Sequence, residues 1–236
     1  MTYGPDQILE GLGKSDYERY IRTEELLSLQ KGADEWLHRD ELLFTVVHQA
    51  CELWLKLSVA EVYQVANYLA KGNFRMALRL VPRILLCIKN ADESMEMLDQ
   101  MTPWDYQQVR RALGHGSGFD SPGFNAIRKA LPLLGKELRR LVEAENIELL
   151  TVFLEHEKYD DLYSLAQALL DIDQGMFMWR QRHFKIVERS IGTKVSGTMG
   201  TPVEVLSQLN SFNFYPELWD IRTTITNYAI AQEGEN

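Results

Sequence analysis

Apolar positions recur along this chain at helical spacing almost throughout. From Arg39 to about Ala70, Leu43, Val46, Val47, Leu53, Trp54, Leu57, Val62 and Val65 fall on that period, which predicts one long helix. A second helix is expected from Phe74 to Leu98, ending near Met101, with a kink at Pro82. Thr102-Pro103-Trp104-Asp105 reads as a helix start. Thr102 is the N-cap, Pro103 the first helical residue, and Asp105 an acid at the positive end of the dipole. This helix is expected to stop at Gly114. Further helix is predicted over Gly123–Ala144, Ile147–Glu155 and Tyr159–Ile191, the last ending at Gly192. A polar segment from Thr193 to Thr201 follows, then short helices near Pro202–Leu209 and Pro216–Ile230. Strand-like alternation is absent, as are internal repeats and a Pro/Gly/Ser-rich linker. The pattern is that of an all-α helical bundle, one domain over residues 1–236, with a core suited to a cofactor.

Composition narrows the class. The formal net charge is -9, which opposes a nucleic-acid partner, since that needs a basic footprint. Met1–Tyr20 has no basic stretch followed by an apolar one, and no run of about 18 apolar residues occurs. A cytoplasmic protein without a membrane segment is therefore expected. The two cysteines, Cys51 and Cys87, sit in apolar helical runs and read as buried free thiols.

Chemistry centres on the histidines. His48 shares an apolar helix face with Phe44 and Cys51, and His183 shares one with Trp179, Ile186 and Val187. A histidine on such a stripe is more often a satisfied core residue than a ligand, so spacing alone leaves both readings open. Glu35 and His38 form one Glu-x-x-His pair where a di-iron site needs two. Zinc motifs are missing. A heme asks for less: one axial histidine and an apolar cavity suffice. Tyr106 and Arg110 lie one helical turn apart, where an arginine fork suits a substrate carboxylate; a solvated arginine is the plainer alternative. Arg111, His115 and His156 read as surface residues. Gly114–Gly118 lacks the Gly-Lys-Ser/Thr ending of a nucleotide-binding loop.

Several blocks resemble one family in its order. Asp40–Trp54, with Phe44 and His48 inside it, is similar to the distal-histidine helix of tryptophan 2,3-dioxygenases. Tyr17–Ile21 and Leu26–Gln30 resemble that family's N-terminal segment. Tyr106, Arg110, Leu113-Gly114 and Ser117-Gly118-Phe119 resemble its carboxylate-binding helix and loop. Trp179–His183 with Ile191-Gly192 resembles its proximal-histidine helix, and Phe214–Thr223 its C-terminal signature.

The resemblance implies a bundle enclosing a b-type heme, its iron bound by His183 with Trp179 in the cofactor site. It implies O2 as co-substrate and an aromatic amino acid as substrate. His48 is then the catalytic residue beside the indole N–H. Phe44, Tyr106, Arg110 and Ser117 line the substrate site. Tyr17, Tyr20 and Ile21 would reach a neighbouring subunit's site from the 1–37 segment of a homotetramer. The implied reaction is dioxygenation of L-tryptophan to N-formyl-kynurenine.

Two departures stand out. The family's Gly-Thr-Gly-Gly-Ser-Ser-Gly loop is replaced by Lys194–Pro202, so the threonine that engages the substrate ammonium falls on Gly197, or on Thr198 after a one-residue slip. The stretch from Phe119 to Leu162 is also short for the family. These leave two alternatives to a tryptophan dioxygenase: a heme monooxygenase of a substituted tryptophan or other aromatic amino acid, and a heme-binding sensor without catalysis.

Overall fold

Asp40–Ala70 forms a single 31-residue helix, α3, and the rest of the chain is arranged around it. A computed structural model describes residues 9–10, 12–195 and 212–234. Before α3 come two short helices, α1 (Asp16–Ile21) and α2 (Thr23–Leu27). Periodicity could not reveal them, because neither buries a residue. Ser15 and Glu18 close a capping box on α1, which holds so short a helix through local hydrogen bonds.

Helix α4 (Phe74–Ser94) returns along α3 after Gly72, whose φ of +70° suits the turn. Asn73 caps it by accepting from Met76 N. The helix continues through Pro82, and its expected last turn tightens into a 3-10 segment, Met95–Gln100. Helix α5 (Pro103–Ala112) begins as expected, with Thr102 Oγ1 accepting from Asp105 N at 3.1 Å.

The single helix expected over Gly123–Ala144 is two: α6 (Pro122–Ala130) and α7 (Pro132–Ala144). Pro132 has no N–H to donate, so the chain breaks there and restarts with proline in the first turn. Helices α8 (Leu149–Leu154) and α9 (Asp160–Ile191) follow, then α10 (Pro216–Gly234). The expected helix at Pro202–Leu209 lies outside the described residues, among which there is no strand.

The main core joins α3, α4, α6, α7, α9 and the start of α10, through Val62, Val65, Ile84, Ile127, Leu134, Leu165, Ile172, Tyr215 and Leu218. Asp173 is buried and fixes the C-terminal signature to α9. It accepts from Phe214 N and Tyr215 N at 3.1 Å each and from Trp219 Nε1 at 3.0 Å. A smaller cluster sits towards the start of α3. There Val47, Met95, Leu98 and Ile186 pack with Leu43, Phe44, Cys51 and Trp179.

By length and composition alone α3 would qualify to cross a membrane, although its sequence contains no unbroken apolar run of that length. In this fold it packs against α4, α6 and α7. Leu42, Val46, Leu53 and Leu57 form an apolar stripe on its open side.

Candidate active site

His48 lies inside α3, and its ring stacks on Phe44 one turn earlier, with centroids 4.0 Å apart and planes at 28°. Its Nδ1 is 2.7 Å from the Phe44 carbonyl oxygen. A carbonyl oxygen only accepts, so Nδ1 carries the proton and the lone pair of the neutral ring is on Nε2. The residue is exposed to solvent, yet its pKa is lowered, chiefly by burial. The Phe44 hydrogen bond and the Glu52 charge oppose that shift. The ring is thus open to solvent on one side and packed against Phe44 on the other.

His183 comes to the same end of the bundle from α9. It is half-buried, and its pKa falls from 6.5 to about 4 through burial and then the nearby His48 charge. Both imidazoles are therefore neutral at pH 7, the form that can offer a nitrogen lone pair to a ligand. Behind His183 two aromatic rings are layered. Trp179 stacks on it at 5.8 Å and 15°, and Phe124 from α6 stacks on Trp179 at 5.0 Å and 26°. Gly118 lies in front: a β-carbon there would sit 3.5 Å from His183 Cε1 and 3.7 Å from Nε2. Arg182, next in the chain, ties α9 to α4 through Asp92 at 2.7 Å and to the 3-10 turn through Glu96 at 2.6 Å.

Helix α5 forms another side. The Tyr106 ring is 6.4 Å from that of Phe44. Burial raises the Tyr106 pKa, and the Arg110 charge nearby opposes the rise, so the phenol and guanidinium are neighbours. Arg110 is half-buried, whereas Arg111 is exposed, as the helix period requires. Ser117 is half-buried and caps the short 3-10 turn Gly118–Asp120, its Oγ accepting from Phe119 N at 3.3 Å. Cys51, half-buried, donates to Ala91 O, and burial pushes its thiol to about 11, so it is no thiolate nucleophile at neutral pH.

The fold thus gathers Phe44, His48, Tyr106, Arg110, Ser117, Trp179 and His183 at one end of the bundle. Tyr17, Tyr20 and Ile21 stay apart, 70%, 78% and 45% exposed on α1. Thr198 and most of the altered loop lie outside the described residues. His115 and His156 are exposed. His38 faces Asp105 at 3.5 Å, while Glu35 accepts from Gly32 N, so the Glu-x-x-His pair does not converge. Among the described residues no three His, Cys, Asp or Glu side chains group as a metal site.

Glu52 and Phe124 carry contacts that the sequence pattern gave no role. The Ser121-Pro122-Gly123-Phe124 run is a recognisable helix start, but its anchor on α3 is not a local signal.

A model of the family described as tryptophan 2,3-dioxygenase matches residues 5–144 and 133–225. The two segments meet between Phe119 and Leu162, the stretch that reads as shortened. A Bacillus cereus protein named tryptophan 2,3-dioxygenase is 29% identical, with 89% of this chain and 92% of the relative covered. A Shewanella woodyi protein of the same name is 28% identical over 88% and 89%. One from Myxococcus xanthus is 28% identical over 94% of both. This helical chain, with His48 and His183 brought to one end of its bundle, belongs to the tryptophan 2,3-dioxygenase family.

Proposed function

We propose that the chain is a heme-dependent dioxygenase that inserts both atoms of O2 across the indole C2–C3 bond of L-tryptophan or a close analogue. The observation that carries this reading is that His48, His183, Tyr106 and Arg110 lie together at one end of the bundle in a member of this family.

The residues present fit a b-type heme. His183 is neutral, and no described residue hydrogen-bonds its ring nitrogens, which leaves Nε2 for iron. The buried indole N–H of Trp179 has no acceptor among the described residues, a vacancy that a heme carboxylate would satisfy. The opposing Gly116–Phe119 segment would have to lie back from His183 Nε2, and its glycines permit that. When bound, ferrous heme supplies the O2 chemistry.

The protein's part is placement. Arg110, with Tyr106 beside it, grips the substrate carboxylate. Phe44 provides an aromatic wall, and His48 Nε2 accepts the indole N–H. Together they fix the C2–C3 bond against the reacting face. Ser117 borders the cofactor. Tyr17, Tyr20 and Ile21, exposed within one chain, and the open stripe of α3 support a homotetramer in which subunits complete one another's sites.

The altered Lys194–Pro202 stretch favours one second reading, a monooxygenase of a ring-substituted substrate. Labelled O2 with tryptophan and methylated tryptophans separates the two. Two labelled atoms in the product support dioxygenation, and one supports the alternative. Wild-type protein should show a Soret band that His183→Ala lacks at unchanged helical content. A His183→Ala protein with wild-type heme spectra would remove the iron assignment.

A further inference from the structure

Glu52 lies on α3 one turn beyond His48, and its carboxylate spans the gap to α6. Ser121 Oγ donates to Oε1 at 2.5 Å, and Gly123 N donates to Oε2 at 2.8 Å. Ser121 Oγ in turn accepts from Phe124 N at 3.0 Å. The acid therefore caps a helix that belongs to another part of the chain, next to that helix's positive end. The approach is close enough to need glycine. A β-carbon on Gly123 would lie 2.5 Å from Glu52 Oε2 and 2.9 Å from Leu55 Cβ.

What this junction holds matters for the site. One residue past Gly123, Phe124 stacks on Trp179, which stacks on His183. On the other side of Ser121, the 3-10 turn begins at Gly118, against the Cε1–Nε2 edge of His183. The wall behind the imidazole and the segment in front of it thus share one anchor, on the helix that carries His48.

We propose that Glu52 is a positioning residue of the active site: by clamping Ser121 and Gly123 to α3, it sets the Phe124–Trp179 stack behind His183. The proposal rests on the reading of His183 as the heme ligand. It does not make Glu52 a catalytic group.

The test is a titration of hemin into hemin-free wild-type, Glu52→Ala and Glu52→Gln proteins, followed at the Soret band. Near-ultraviolet circular dichroism of the hemin-free proteins reads the Trp179 stack, with Trp179→Phe identifying its contribution. Glu52→Ala loses both acceptors and should weaken hemin binding roughly tenfold and remove most of the Trp179 signal, with far-ultraviolet spectra unchanged. Glu52→Gln should restore both to within about threefold, because its carbonyl accepts from Gly123 N while its amide donates to Ser121 Oγ. Wild-type hemin affinity and Trp179 signal in Glu52→Ala would overturn the proposal, as would a Gln variant no better than Ala. If Glu52→Ala does not fold, Ser121→Ala, which removes one of the two donors, should show a smaller loss of the same kind. Unchanged behaviour there would also overturn it. Failure of wild-type protein to bind hemin would sink the functional reading, while the Trp179 signal would still decide the role of Glu52.

Discussion

The proton on His48 Nδ1 is committed to the carbonyl oxygen of Phe44, 2.7 Å away, so the ring keeps Nε2 as an acceptor. The same hydrogen bond ties the imidazole to the aromatic residue it stacks on.

His48 should therefore discriminate by the indole N–H. In His48→Ala, kcat/KM for tryptophan should fall by roughly 3–10-fold, the range for one neutral hydrogen bond. Turnover of 1-methyltryptophan, which has no N–H, should fall less. Equal losses on both substrates would refute the acceptor role. A protonated His48 cannot accept at Nε2, and its pKa is lowered. The wild-type acid limb should thus lie below the ordinary imidazole value and be absent from the His48→Ala profile.

Hemin-free protein should lose stability on mild acidification. The unfolded His183 binds its proton near 6.5 and the folded one near 4. Between these values the unfolded state holds more protons, so stability is full above the window and falls as pH falls through it. The limit from this residue is roughly 3 kcal/mol, and His48 acts in the same direction. Thermal melts from pH 7 to pH 4 should show the decline, and His183→Gln should flatten it. Parallel curves for the two proteins would exclude His183 as the source.

Arg110→Lys keeps a charge but loses the planar fork. KM for L-tryptophan should rise by about tenfold or more, with the Soret spectrum unchanged. Parallel loss of heme and substrate binding would mark Arg110 as structural.

Asp173→Ala should uncouple α10. It leaves three buried donors without their acceptor and takes a carboxylate from beside buried Arg180. Such a change costs about 3–5 kcal/mol. Urea unfolding should report it, and hydrogen exchange should rise first in residues 216–234. A loss under about 1 kcal/mol would mean that the signature is held by apolar packing alone.

Helix positions were legible because periodicity and capping are local properties. The 3.6-residue repeat outlines α3, α4 and α9, and Thr102-Pro103-Asp105 announces α5. The α6–α7 break was readable in principle from Pro132 but hidden under an unbroken apolar repeat. The exposed helices α1 and α2 had no apolar face to betray them.

For the site, the sequence by itself determined the candidates: two histidines on apolar stripes, an aromatic before each, and Tyr106 one turn from Arg110. Family-like blocks then ordered them. Only the tertiary structure decided that His48 and His183, 135 positions apart by their numbers, lie near enough at one end of the bundle for His48 to lower the pKa of His183. It also decided that Glu52 caps α6 from 71 residues away, and that Asp173 holds Phe214 and Tyr215. The reason is physical: a helix face is written in neighbouring residues, but a carboxylate's partner across a bundle depends on how every intervening helix packs.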